Sequence, residues 1–184
     1  MYIGAAYYPE LWDESEIEKD IKRCEKYGLN TLRIGEFAWS RMESEEGRFD
    51  LDWLARVIDR LWAAGISTVL CTPTCTPPRR MMNKYEEMRR MTPDGKRESV
   101  SSRCHPCMTS PVMLEKTRAV VTAMGERFGK HPGVIGWQID NELYPYDWGC
   151  RCGLCVKAFR KYLAEKYHTV DELNAKWGMT RWSL

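Results

Sequence analysis

The sequence predicts an α/β fold built on a parallel β-sheet with crossover helices. Along the 184 residues, short apolar runs alternate with longer segments of helical periodicity, in the order βαβαβ, a long loop, then αβα. The apolar runs are nearly continuous, which is typical of strands buried on both faces of a parallel sheet. The intervening helical segments are long enough to serve as the crossovers that parallel strands require.

The first predicted strand, residues 2–8, reads YIGAAYY and is closed by Pro9. A helix follows, with Asp13 as its N-cap, Glu16 in the capping-box position and Gly28 as its stop. One face of this helix is expected to be buried, formed by Ile17, Ile21, Cys24 and Tyr27.

The next two units repeat the order of strand and helix. Residues 30–37, NTLRIGEF, predict the second strand, and Asp50 opens a helix that ends at Gly65. The apolar face of that helix is expected to contain Leu54, Val57, Ile58, Leu61 and Trp62. The third strand is predicted at residues 66–72, ISTVLCT.

A long segment rich in proline, methionine and charge, residues 73–103, opens the second half of the sequence. We expect a loop here that contains a short helix over residues 79–88, and long loops are often functional. The fourth strand is predicted at residues 133–140, GVIGWQID. Further helices are predicted at residues 110–128, 154–167 and 170–177.

Two architectures fit this order: a doubly wound sheet, or the first half of a (β/α)8 barrel. A doubly wound sheet usually has a Gly-rich phosphate loop after its first strand, where this chain has YYPELW. Polar side chains instead follow two strands at the ends where barrel enzymes place their sites. They are Arg33 and Glu36 after the second strand, and Asn141 and Glu142 after the fourth. Because a barrel takes at least about 200 residues, the chain is expected to be a fragment with roughly four of its eight units.

Composition disfavours several classes of function. The 28 basic and 26 acidic residues give a formal charge of +2, without a basic stripe that would track a phosphate backbone. The first residues lack the basic and apolar regions of a signal peptide, and no window reaches the roughly 20 apolar residues of a membrane span. We therefore expect a cytoplasmic protein that binds neither nucleic acid nor membranes, with its eight cysteines as thiols or metal ligands rather than disulfides.

Glu142 is the strongest catalytic candidate among the carboxylates. It follows an apolar strand and precedes aromatic residues, so we expect partial desolvation, which raises the pKa of a carboxyl toward that of a general acid. Glu36 lies in the equivalent place beside Arg33 and is a candidate second carboxylate of a glycosidase. The alternative is that both glutamates are ordinary loop carboxylates that cap helices or pair with arginine.

Clustered cysteines predict a metal site. Three of them form a C-x-C-x2-C motif: Cys150, Cys152 and Cys155. Cys104 or Cys107 could supply a fourth ligand, and His105 could compete with them. A site made only of thiolates has no open position, so its metal would be structural. Reduced cysteines without metal are the alternative.

Several motifs resemble the glycoside hydrolase family 42 β-galactosidases. They are YYPELW, LRIGEFAWSRMESEEGRFDLDWL, TPTCTPP, SSRCHPC, HPGVIGWQIDNE, CRCGLC and LNAKWGMTRWS. RIGEFAWS together with GWQIDNE is specific, and the resemblance covers essentially the whole chain. It implies a (β/α)8 TIM barrel that hydrolyses terminal non-reducing β-D-galactosides with retention, of which residues 1–184 are the N-terminal half of the catalytic domain.

The resemblance also implies roles for individual residues. Glu142 matches the acid/base glutamate, and Asn141 matches the asparagine that hydrogen-bonds the sugar 2-hydroxyl. The residues that match positions lining the galactose subsite are Arg33, Glu36 and Arg103. Glu36 thereby becomes a substrate-binding residue, and the family's nucleophile lies beyond Leu184. The family's zinc ligands match Cys107, Cys150, Cys152 and Cys155.

Three further expectations follow from the resemblance: a structural Zn²⁺, a β-galactoside substrate and, for full-length members, a homotrimer. The alternative function is a non-catalytic, zinc-stabilised sugar-binding module that kept half of the barrel and lost the chemistry. A zinc-ribbon interaction protein is disfavoured by the near-neutral charge and by the alternation of strands and helices.

Overall fold

A computed structural model describes residues 1–100, 106–143 and 149–179. Within these ranges, four parallel strands form one sheet in the order β1-β2-β3-β4. The strands are β1 (Gly4–Ala6), β2 (Thr31–Ile34), β3 (Ser67–Cys71) and β4 (Val134–Gln138). The predicted parallel α/β sheet is therefore confirmed. The sequential order lacks the reversal that defines a doubly wound sheet, so it favours the barrel architecture.

Helices connect the strands, and their bounds are α1 (Ile17–Tyr27), α2 (Trp39–Met42), α3 (Asp52–Ala63), α4 (Arg79–Lys84), α5 (Pro111–Phe128), α6 (Gly153–Tyr167) and α7 (Val170–Trp177). Short 3-10 turns lie at Pro9–Leu11, Glu14–Glu16 and Glu86–Met88. The longer helices occupy the predicted places. No helix within the described residues is long and apolar enough to cross a membrane.

The start of the first predicted helix differs from the expectation. Asp13 caps a 3-10 turn, its Oδ1 accepting a hydrogen bond from the Ser15 N–H at 2.9 Å, and α1 begins only at Ile17. Glu16 accepts a hydrogen bond from Lys19 Nζ at 2.7 Å and gives α1 no side-chain cap. The end of the helix agrees with the sequence, because Gly28 takes the left-handed φ of 68° that stops a helix.

The buried helix faces are narrower than predicted. Most of the predicted apolar positions of α1 and α3 are buried, but Tyr27 is 70% exposed and Trp62 is 43% exposed. At about 100° per residue, each of these two lies roughly 80–90° from the centre of its helix's buried face. Both are therefore at the border of the core rather than inside it.

Only the two central strands are buried as the sequence predicts. β2 and β3 are buried at nearly every position, whereas all three residues of β1 are exposed. In β4, Ile135 and Trp137 are exposed large apolar side chains. The difference arises because β1 and β4 form the two edges of the described sheet and have a neighbour on one side only.

Candidate functional site

The carboxyl ends of β1 and β2 bring together an ion pair and a tyrosine hydroxyl. Arg33 Nη2 lies 2.9 Å from Glu36 Oε2, and Tyr8 Oη donates a hydrogen bond to the same oxygen at 3.2 Å. Gly35, at φ 88°, turns the chain out of β2, and the Glu36 side chain is buried beneath this turn. The proximity of Arg33 and Glu36 expected from the sequence is thus present in the structure.

Arg33 also extends the site across the sheet to β4. Its Nη1 donates a hydrogen bond to Gln138 Oε1 at 2.7 Å, and Gln138 Nε2 donates to the Asp140 carbonyl at 2.9 Å. Burial lowers the pKa of Arg33, but the hydrogen bond and charge of Glu36 outweigh it, so the net pKa is raised. A charged arginine therefore links the carboxyl end of β2 to the segment that carries Asn141.

Asp140 fixes the turn that leaves β4. Its N–H donates to Thr72 Oγ1 at 2.7 Å, and its own Oδ1 accepts the Asn141 N–H at 2.7 Å. Asp140 and Glu142 both have left-handed backbones, with φ of 57° and 42°. Aspartate tolerates this region, but for glutamate it is uncommon, and such outliers cluster at functional sites.

The Glu142 side chain is exposed, so its predicted partial burial is wrong for this chain. The physical reason is that Glu142 follows β4, which is an edge strand of the described sheet. The apolar side chains near it in sequence, Ile139 and Leu143, are exposed as well. The aromatic residues expected to cover it, Tyr144 and Tyr146, lie outside the described residues, and so does the predicted subsite residue Arg103.

Glu142 and two of the clustered cysteines line one cleft. The cleft has a volume of about 220 Å³ and is lined by Asn141, Glu142, Leu143, Thr109, Cys150 and Cys155, among others. We call Cys107, Cys150, Cys152 and Cys155 the cysteine cluster. Their sulfur atoms all lie within 4.8 Å of one another. The candidate acid and two of the candidate metal ligands, Cys150 and Cys155, therefore border one cavity.

The sulfur spacing fits a tetrahedral metal site. Cys107 Sγ lies 3.6 Å from Cys152 Sγ and 3.6 Å from Cys155 Sγ. A disulfide needs about 2.05 Å, whereas four thiolates bound at about 2.3 Å to one tetrahedral ion lie about 3.8 Å apart. Of the two cysteines left open as the fourth ligand, Cys107 is in the cluster, while Cys104 and the competing His105 lie outside the described residues.

Backbone contacts hold the cysteine cluster between three segments. Cys152 is the N-cap of α6, and its Sγ accepts the Cys155 N–H at 3.5 Å. The Cys107 N–H donates to the Met88 carbonyl at 2.7 Å. Cys150 Sγ accepts the Met91 N–H at 3.3 Å. The cluster thus joins the loop after α4 to the starts of α5 and α6.

Electrostatics within the cluster favour one thiolate over its neighbours. Burial acts to raise the pKa of Cys152, but hydrogen bonds from the Cys155 N–H and the neighbouring thiols lower it to about 6. Burial is also the main cause that raises the pKa of Cys150. A lowered pKa favours the thiolate of Cys152, which is the form that binds a metal.

Sequence patterns did not indicate several residues of these sites. Tyr8 could have been suspected, since YYPELW follows the first strand just as Glu36 follows the second. Gln138 lies inside a predicted strand, where only the register shows that it meets Arg33. Thr109 carries no motif, yet its Oγ1 lies 2.8 Å from Cys155 Sγ and 3.2 Å from Cys107 Sγ.

Comparison with known proteins agrees with the motif resemblance. The β-galactosidase model of glycoside hydrolase family 42 matches residues 6–184. The β-galactosidase YesZ of Bacillus licheniformis is 42% identical over 183 residues, which are 100% of this chain and 28% of that protein. A β-galactosidase of Thermus thermophilus is 41% identical over 98% of this chain and 28% of its own length.

A solved structure shows the same fold. The β-galactosidase of the Antarctic haloarchaeon Halorubrum lacusprofundi superposes with a TM-score of 0.90 and 38% identity, over 100% of this chain and 28% of that one. The chain thus spans little more than a quarter of the relatives that it matches. Since the family match extends from residue 6 to residue 184, with the four parallel strands in barrel order, the chain belongs to the glycoside hydrolase family 42 β-galactosidases.

Proposed function

We propose that this chain is the N-terminal half of the (β/α)8 catalytic domain of a retaining β-galactosidase, acting on terminal non-reducing β-D-galactosides. The observation that carries the proposal is the end of β4, where Asn141 and Glu142 follow a turn anchored by Asp140. The Arg33–Glu36 pair lies at the same end of the sheet, where barrel enzymes bind their substrates. The length of the relatives supports the assignment as part of a larger domain.

Glu142 is the proposed acid/base residue. In a retaining mechanism it donates a proton to the glycosidic oxygen as the bond breaks, and then removes a proton from the water that hydrolyses the glycosyl-enzyme. The glutamate nucleophile of this mechanism is proposed to lie outside residues 1–184. The exposed position of Glu142 in the lining of a cleft gives it access to a substrate oxygen.

The remaining polar residues are proposed to hold the galactose. Asn141 would hydrogen-bond the sugar 2-hydroxyl, a contact that strengthens in the transition state. Arg33, Glu36 and Arg103 would line the galactose subsite. A buried carboxylate and a guanidinium held 2.9 Å apart supply both an acceptor and donors for neighbouring sugar hydroxyls.

The cysteine cluster is proposed to hold a structural Zn²⁺. Four thiolates at this spacing fill the coordination positions of a tetrahedral ion. The metal would therefore cross-link the chain and would have no open position for water or substrate. The cross-link would fix the loop that leaves β4 and so steady Glu142. The family resemblance further supports a homotrimer, and the thiols in the described residues support a reducing, cytoplasmic location.

The acid/base role is tested on the whole protein with Glu142→Gln. We expect kcat/KM to fall about 100-fold or more for galactosides with poor leaving groups and much less for aryl galactosides with good ones. The reason is that kcat/KM reports the step that breaks the glycosidic bond, in which only a poor leaving group needs protonation. Azide, which attacks without a general base, should restore turnover and yield the β-galactosyl azide. Glu126→Gln, an exposed glutamate of α5, is the matched control.

Two outcomes would contradict the proposal. Equal losses for good and poor leaving groups, without azide rescue, would remove Glu142 from the acid/base role. Saturable galactose binding by a whole protein that turns over no galactoside would favour the non-catalytic sugar-binding module instead.

A further inference from the structure

We propose that Thr109 is a positioning residue of the cysteine cluster, whose hydroxyl donates a hydrogen bond to the Cys155 thiolate and so helps to retain the metal. The inference rests on the proposed metal site and assigns a function to a residue outside the ligand set. Thr109 Oγ1 lies 2.8 Å from Cys155 Sγ and 3.2 Å from Cys107 Sγ. It is therefore in hydrogen-bonding distance of two of the four sulfurs.

The local backbone holds Thr109 in place. The Ser110 N–H donates to the Cys107 carbonyl at 3.0 Å, which closes a turn around Thr109. Ser110 is also the N-cap of α5, where its Oγ accepts the Met113 N–H at 3.3 Å. Since the residue is fixed on both sides, its hydroxyl meets the sulfurs without a further loss of backbone freedom.

The chemistry of a filled site decides the direction of this hydrogen bond. Thiolates bound to a metal have no proton, so they can only accept, and the threonine hydroxyl must donate. One hydroxyl carries one proton, which favours the nearer sulfur, that of Cys155. Four thiolates around a divalent cation leave a net charge of −2, and hydrogen-bond donors stabilise such a charge away from bulk water.

Thr109 differs from the backbone N–H donors of the cluster because a substitution can remove its hydroxyl. Cys150 and Cys152 accept hydrogen bonds from the backbone N–H groups of Met91 and Cys155, which every side-chain replacement leaves in place. The bond to Cys155 comes from a side chain. Thr109 and Glu142 also line the same cleft, and valine would preserve most of the shape of the Thr109 side chain there.

The test measures two properties of the 184-residue chain: its affinity for metal and the absorption spectrum of its Co²⁺-loaded form. Thr109→Val should weaken Co²⁺ and Zn²⁺ binding about 10-fold, as measured by competition with a chromophoric chelator. It should also move the thiolate-to-Co²⁺ charge-transfer band to lower energy, because a metal-bound thiolate that accepts no hydrogen bond is easier to oxidise. Thr109→Ser keeps the hydroxyl and should restore both values.

Thr117→Val is the matched control. The Thr117 hydroxyl is buried in α5 and has no hydrogen-bond partner among the described residues, so its loss should change neither affinity nor spectrum. Circular dichroism of the metal-loaded proteins checks the fold, and Thr109→Ala replaces Thr109→Val if the valine does not fit. Wild-type affinity and an unmoved band in the variants that lack the hydroxyl would overturn the inference while leaving the metal site intact. Failure of the wild-type chain to bind either metal would overturn the metal site and this role together.

Discussion

Arg33 and Glu36 form an ion pair at the carboxyl end of β2, with Nη2 and Oε2 2.9 Å apart and side chains 31% and 5% exposed. Glu45 and Arg48 have the same spacing in sequence and lie 3.4 Å apart, but their side chains are 71% and 78% exposed. The chain thus contains a partly buried pair and a solvated pair of identical residue types.

Glu36→Gln should lower the free energy of unfolding by about 2 kcal/mol, the range for a hydrogen bond to a charged group, because it removes the charge that Arg33 and Tyr8 contact. Glu45→Gln should change it little, since exposed pairs contribute little. Urea denaturation of both variants of the 184-residue chain measures the difference. Equal losses in the two variants would contradict the special role of the buried pair.

The purified 184-residue chain should not hydrolyse a β-galactoside. The proposed nucleophile lies outside it, so no covalent glycosyl-enzyme can form. An aryl galactoside with a chromogenic leaving group gives the sensitive assay, and the Glu142→Gln chain, purified in the same way, controls for contaminating enzyme. Turnover by the wild-type chain that disappears in Glu142→Gln would show that a fragment without the proposed nucleophile is active.

The freshly purified, reduced chain should contain about one zinc ion, as a four-thiolate site requires. Cys152→Ser should lose the metal, because it removes both a ligand and the acceptor for the Cys155 N–H. Cys24→Ser is the control, since Cys24 is a buried thiol of α1 outside the cluster. Atomic emission spectrometry measures the content, and a wild-type chain free of metal would refute the zinc assignment.

Glu46 should make stability depend on pH in the acid range. Hydrogen bonds from Lys84, Lys116 and Tyr85 lower its pKa from the ordinary value of 4.5 to about 2. A depressed carboxyl pKa stabilises the folded state fully above the unfolded pKa, and that contribution is lost as pH falls through the folded pKa. The stability advantage of the wild type over Glu46→Gln should therefore be constant above pH 4.5 and shrink toward pH 2.

Urea midpoints across this pH range provide the measurement. Glu115→Gln is the matched control, because Glu115 is exposed and contacts one lysine at 3.2 Å, so its loss should change stability little. An advantage over Glu46→Gln that persists unchanged down to pH 2 would contradict the assignment.

The exposed sheet edges should make the 184-residue chain self-associate. β4 presents Ile135 and Trp137 to solvent, and an open edge with apolar side chains pairs readily with other chains. Ile135→Lys should reduce the mean mass in analytical ultracentrifugation, whereas Leu114→Lys, at an exposed apolar position of α5, should not. A wild-type chain that stays a monodisperse monomer at the same concentrations would contradict this prediction.

Local patterns were sufficient for the order of the elements and for three of the four cysteines of the cluster. The order of strands and helices follows from short apolar runs and from 3.6-residue periodicity. The end of α1 is also a local feature, because it needs only a residue that accepts a left-handed backbone, and Gly28 does so at φ 68°. Arg33 and Glu36 are three residues apart, and three cysteines lie within six residues, so chain connectivity itself keeps each group together.

Tertiary structure decided what depends on distant parts of the chain. The bond from Arg33 to Gln138 joins residues 105 positions apart, and it requires a parallel register that no local pattern specifies. The place of Thr109 beside Cys155, 46 positions away, has the same origin. The exposure of Glu142, Ile135 and Trp137 follows from which strand has a neighbour, because burial is a property of the whole sheet and not of the segment that carries the residue.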